Sequence, residues 1–183
     1  MDIRTTLVTA PVAEALTVAE VKLDRVIDHD LHDDLFVQYI QAAREVAEMR
    51  TSRALMPQTW QQLCVNADTE IPLEKWPAQA IASISINGET IDHIQMLEDG
   101  TLFFGAGDNP FVECRLFKGQ RVVIQYTAGY DNAAAVPAAI KKWMLLQIGS
   151  MYEHRESTVI GTIVQRVSYA DSLIMPFTVR GYA

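Results

Sequence analysis

The period of the apolar residues changes twice along this chain, and that limits the folds open to it more than any single motif. Up to Leu55 and again from Pro137 they recur at helical spacing; between about residues 57 and 130 they recur at the spacing of strands. A chain ordered in this way is expected to be α+β, a helical core with an antiparallel β-hairpin region inserted into it. Leu16-Thr17-Val18-Ala19-Glu20 opens the first helix, expected over Val18 to Ile27, because Thr17 and Glu20 have the spacing of a capping box. Phe36, Tyr39, Ile40, Ala43 and Ala47 then form one face opposite Gln38, Gln41, Glu45 and Glu48, which predicts a second helix from Asp34 to Arg53 with an acidic cap.

The inserted region reads as hairpins. Thr59 to Val65 is rich in β-formers, Ile84 and Ile86 alternate with Ser83 and Ser85, and Asn87-Gly88 supplies the positive φ angles of a tight turn before Glu89-Thr90-Ile91. Asp99-Gly100 repeats that chemistry before Thr101 to Phe104, and Arg121 to Tyr126 is a further strand. After the turn Gly129-Tyr130-Asp131-Asn132, Pro137 suits the first position of a long apolar helix carrying Ile140, Trp143, Met144, Ile148, Met151 and Tyr152. Leu145 and Leu146 widen that stripe. It serves either one central core or a core plus a neighbouring subunit. An extended piece from Val159 to Val167 and a short helix, Ala170 to Met175, stopped by Pro176, complete a single domain over 1–183. Its helical core is expected over 17–54 and 137–176, with a tail at 177–183.

Composition narrows the function. With 49% hydrophobic and 21% charged residues the chain can bury a core, and no uncharged apolar stretch approaches the roughly 18 to 20 residues a bilayer demands. Met1-Asp2-Ile3-Arg4-Thr5-Thr6 does not read as a signal peptide, so a soluble chain made in a cytoplasm is expected. Cys64 and Cys114 stand in strand-like stretches without Cys-x-x-Cys spacing and read as buried free thiols. The net charge of −8, with basic residues scattered, argues against nucleic-acid affinity, although an acidic wall suits a passage through which DNA slides.

Chemistry-bearing motifs are sparse. Asp28, His29, Asp30, His32, Asp33 and Asp34 could ligate a metal, but their spacing is not that of an EF-hand, and a solvated loop that favours the next helix N-terminus explains the same residues. Gly105-Ala106-Gly107 lacks the third glycine and the helix of a phosphate cradle. His93 and His154 belong to no nucleophile motif. No catalytic residue, metal or cofactor is expected.

Several ordered fragments give a more specific reading. They are Leu16 to Lys22; Asp33-Asp34-Leu35 leading to Ala42-Ala43-Arg44-Glu45; and Thr51-Ser52-Arg53-Ala54-Leu55 before Gln58-Thr59-Trp60. Tyr126-Thr127-Ala128-Gly129-Tyr130, Val136-Pro137-Ala138-Ala139-Ile140, Tyr152-Glu153-His154-Arg155-Glu156 and Met175-Pro176-Phe177 follow. Together they resemble the head-to-tail connector, or portal adaptor, family of tailed bacteriophages. The end departs mildly: Thr178 and Val179 separate Phe177 from Arg180, where that family often has Tyr then Arg after the late proline.

The resemblance implies a non-enzymatic virion-neck protein, made in the host cytoplasm of a phage or prophage. It would form a homo-oligomeric ring of about 12–13 subunits closed by head-to-tail contacts. It would sit under the portal protein, take part in head completion after DNA packaging, offer a platform to a stopper or tail-completion protein, and let DNA pass without specific binding. By position, Trp143, Leu146, Arg155 and Glu156 are the expected subunit interface, and Phe177, Arg180 and Tyr182 the expected portal-binding tail. Two other readings stay open: a small metal-binding protein or enzyme built on Asp28 to Asp34, and a different phage morphogenesis or host-interaction module.

Overall fold

The structure, a computed structural model, describes residues 1–91, 103–104, 111–154 and 168–178. These form two compact units: one from Met1–Val12 and Met56–Asp131, the other from Ala13–Leu55 and the described residues between Asn132 and Thr178. The changeovers at 55/56 and 131/132 fall close to the limits at which the residue period switches.

In the β unit, β1 (Asp2–Thr9), β2 (Gln58–Val65), β4 (Ala78–Ile86), β5 (Glu89–Ile91) and β8 (Val122–Ala128) make a five-stranded antiparallel sheet in the order β1-β2-β8-β4-β5. A smaller antiparallel sheet joins β3 (Glu70–Pro72), β7 (Phe111–Glu113) and β6 (Phe103–Phe104). β8 alternates strictly, so Val122, Ile124, Tyr126 and Ala128 are buried. In register with them on one side are Cys64, Gln62, Trp60 and Gln58.

Gln62 is the polar pin of that buried face. Its side chain donates to the Pro72 carbonyl at 2.6 Å and accepts from the Glu74 amide at 3.0 Å, while the Tyr126 hydroxyl accepts from the Lys75 amide at 3.1 Å. Two buried side chains thus satisfy the backbone of residues 72–75 where it lies against the sheet. Asn87 and Gly88 both hold positive φ, as the β4–β5 hairpin requires. Gly129 is needed for a second reason: with φ at 133°, a Cβ there would overlap the Met56 carbonyl.

The helical unit holds α1 (Val18–Arg25), α2 (Asp33–Thr51), α3 (Ala138–Glu153) and α4 (Ser168–Ile174). Its core gathers Val21, Phe36, Ile40, Ala43, Ala47, Ile140, Trp143, Met144, Ile148 and Ile174. The capping box is present in full: the Glu20 amide donates to Thr17 Oγ1, and the Thr17 amide donates to the Glu20 carboxylate.

The α+β class therefore holds, with four α-helices and antiparallel sheet among the described residues, but the layout differs from the sequence expectation. The sheet is not wholly an insertion, because β1 comes from the N-terminus and pairs with β2. α3 is not a long apolar rod: Lys141, Lys142, Gln147, Ser150 and Glu153 break it up, and Pro137 is its N-cap and not its first residue. α2 begins at Asp33 with His32 as N-cap and no side-chain cap, so the acids act through first-turn charge. Pro176 does not stop α4 directly; it lies inside a 3₁₀ turn, Met175–Phe177, and a second such turn spans Arg115–Phe117. The expected Asp99-Gly100 hairpin, the Gly105–Gly107 loop, His93 and the 159–167 segment lie outside the described residues.

Candidate assembly surface

The charged residues of α1 pair within the helical unit. Lys141 lies 3.6 Å from Glu20, Lys142 lies 2.7 Å from Asp24, and Arg25 lies 3.5 Å from Glu153, so three charged residues of α1 face charged residues of α3. Lys22 pairs with Asp30 and, at 3.0 Å, with Asp33 in the loop that follows. The ammonium of Lys142 and the neighbouring Arg25 hold the Asp24 carboxyl below its ordinary range. For Glu20 partial burial works upward, but the Thr17 hydrogen bonds and Lys141 outweigh it and the net direction is down.

Beside the partly exposed Glu20, α1 shows apolar side chains to solvent. Leu23 is 82% exposed and Val26 91% exposed, Ala19 lies on the same face, and Leu31 in the following loop is 82% exposed. Val26 also ends the helix in the left-handed conformation, with φ at 58°. Glycine or asparagine is usual in that conformation; a β-branched residue is an outlier.

A second polar cluster is buried. The Arg44 guanidinium donates to Glu14 at 2.8 Å and to Glu48 at 3.0 Å, and Glu48 also accepts from the Leu55 amide at 2.8 Å. Burial works against the Arg44 charge, but Glu48 and Glu14 more than offset it, so its pKa is raised.

In the β unit, β1 is an edge strand: β2 covers one side and no described strand covers the other. Leu7 and Val8 are exposed on it, and Val12 is fully exposed just beyond it.

The residues singled out from the sequence fall in different places. Trp143 is fully buried, with the Arg50 guanidinium over its ring. Leu146 is half-buried on α3. Phe177 is half-buried, and its carbonyl accepts from Arg53 Nε at 2.8 Å. Arg155, Glu156, Arg180 and Tyr182 lie outside the described residues.

Of the Asp/His cluster, Asp30 and Asp33 are taken by Lys22, and His32 Nδ1 shares a hydrogen with the Tyr152 hydroxyl at 2.8 Å. No group of metal-ligating side chains occurs among the described residues. Cys64 and Cys114 are buried free thiols, and burial pushes Cys64 up to about 11. The exposed Leu23 and Val26 were not singled out in the sequence, where the capping box marked Val18 to Ile27 only as a helix.

Over nearly its whole length, this chain has the fold of neck chains from a phage-like particle. It superposes on a chain from the neck of an empty GTA particle computed with C6 symmetry at a TM-score of 0.76, with 20% identity, covering 97% of this chain and 96% of the other. A chain from the virion of a native gene transfer agent (GTA) particle gives 0.76 at 20% identity, covering 96% of each. One from the neck of a native GTA particle computed with C12 symmetry gives 0.72 at 21% identity, covering 97% and 96%. No protein-family model and no curated protein matches the chain. The structural likeness agrees with the connector resemblance carried by the ordered sequence fragments.

Proposed function

We propose that this chain is a structural, non-enzymatic component of the neck of a tailed-phage-like particle, a connector ring between portal and tail. The observation that carries the reading is the end-to-end superposition, at a TM-score of 0.76, on a chain from a particle neck. Neck structures computed with C6 and C12 symmetry support a closed cyclic assembly, and we take twelve copies as the expected ring. Such a ring requires each copy to offer two different faces.

The net charge of −8 suits a channel that lets DNA pass without holding it, because phosphates would be repelled from its wall. The portal is the expected partner above and a stopper or tail-completion protein the partner below. Half-buried Leu146, together with Arg155 and Glu156, is assigned to contacts between copies. The tail with Arg180 and Tyr182 is assigned to the portal, whereas Phe177 is already tied to Arg53 within the chain.

Light scattering across a concentration series, alone and with the purified portal ring of the same particle, tests the reading. A discrete species near twelve chain masses, or stable decoration of the portal ring, supports it. A chain that remains monomeric under both conditions overturns it. For the tail, truncation after Thr178 keeps the Phe177 carbonyl and should abolish portal binding with the fold intact; unchanged binding would remove that assignment.

A further inference from the structure

Val21 anchors α1 in the core, but the helix also carries an apolar strip on its outer side, which a helix on the surface of a free-standing domain does not need. Glu20, Lys22, Asp24 and Arg25 are all engaged within the helical unit, and Ala19, Leu23 and Val26, at helical spacing, are left on the outside. The position of Val26 adds a second observation. It is a β-branched side chain held in left-handed backbone and almost wholly exposed, so the conformation is not explained by packing of that side chain within the described chain.

The nature of the occupant follows from ring geometry, so the inference rests on the connector reading. In a ring, the surface that meets this face must be a different patch of the same chain. Among the described residues the other concentration of exposed apolar side chains adjoining an open backbone edge is β1, with Leu7 and Val8 on the strand and Val12 after it. From Thr5 to Thr9 the strand has no charge to deter pairing. One opposite-charge pairing is open to the two faces: Asp28 and Asp34 are exposed near α1, in a loop and helix start whose other acids are taken by Lys22, and Arg4 is exposed on β1, two residues after the equally exposed Asp2.

We infer that the outer face of α1, formed by Ala19, Leu23 and Val26 with Leu31 beside it, is one half of the contact between adjacent copies, and that strand β1 of the next copy is the other half.

Two surface variants test this: Leu23→Glu combined with Val26→Asn on one face, and Val8→Glu on the other. Each should keep the wild-type circular dichroism and lower the ring fraction at least tenfold at a concentration where wild type is mostly closed. Val26→Asn alone guards against misfolding, since asparagine accepts left-handed backbone. Mixing the two variants is the decisive arm. Each chain then keeps one intact face, so chemical cross-linking should trap heterodimers of twice the chain mass and no rings. Variants that close rings as wild type does would overturn the inference while leaving the connector reading intact. Dispersed rings without heterodimers would overturn β1 as the opposite face. A wild-type chain that closes neither alone nor on the portal ring would remove the connector reading and this inference with it.

Discussion

The guanidinium of Arg25 occupies the space that a Cβ on residue 149 would fill, so the glycine of α3 is what lets α1 lie so close to it. Gly149→Ala sets two effects against each other: about 1 kcal/mol of helix propensity gained, and displacement of a guanidinium at the end of a flexible side chain. We expect near-neutral stability. Gly149→Leu cannot be absorbed by moving one guanidinium and should cost about 2 kcal/mol through overpacking. Urea denaturation of both variants checks the pair.

Glu48 should be among the costliest polar residues to truncate. Glu48→Ala strands the Leu55 amide and removes one of the two carboxylates hydrogen-bonded to a buried arginine, for which we expect about 3 kcal/mol of destabilisation. Glu48→Gln still accepts from Leu55 and should cost less. The two denaturation midpoints, measured side by side, decide whether the charge or the hydrogen bond dominates.

Val26 is expected to be a position where a polar residue stabilises the isolated chain. Releasing a β-branched residue from left-handed backbone should raise stability by about 1 kcal/mol in Val26→Asn. Thermal denaturation under conditions that keep the protein monomeric is the measurement, and a fall in midpoint would contradict it.

Acid should loosen α1 from α3. The Asp24 carboxyl is held below its ordinary range by Lys142 and Arg25, so its contribution to stability is present above the unfolded-state pKa and is lost as pH falls through the lower, folded one. Lys142→Met should therefore be less stable than wild type at neutral pH. The difference should shrink as pH drops below the ordinary carboxylate range, as denaturation midpoints along a pH series would show.

Cys64 should be inert in the folded protein. Burial raises its thiol to about 11, so little thiolate forms at pH 8 and a reagent meets it only after opening. Alkylation followed by mass spectrometry should show protection that denaturant abolishes; rapid labelling of Cys64 in native conditions would contradict the packing described.

Local signals were legible in the sequence where a few residues settle the matter. The Thr17/Glu20 box and the Asn87-Gly88 turn depend on neighbours within three residues, and both are present. β1 was not legible: Asp2 to Thr9 is a strand because β2, more than 50 residues later, supplies its hydrogen bonds. Trp143 and Leu146 looked alike as members of a wide apolar stripe, and only the packing of the other helices around α3 separates a fully enclosed residue from a half-buried one. The exposed face of α1 was hidden because hydropathy suggests which residues prefer to be buried, whereas the partners of Glu20, Asp24 and Arg25 lie on α3, far along the chain.

The sheet order β1-β2-β8-β4-β5 has a consequence for how the protein is made. β2 and β4 do not touch, and the strand that joins them is the last of the five to leave the ribosome. At roughly 5–20 residues per second, β1 waits on the order of ten seconds before that sheet can close. Throughout that interval the nascent chain carries Leu7 and Val8 on an incompletely assembled sheet. Synthesis of many copies on one polysome would bring such edges together before any copy has finished folding, so a slow stretch of codons just after β8 would give each sheet time to close before release.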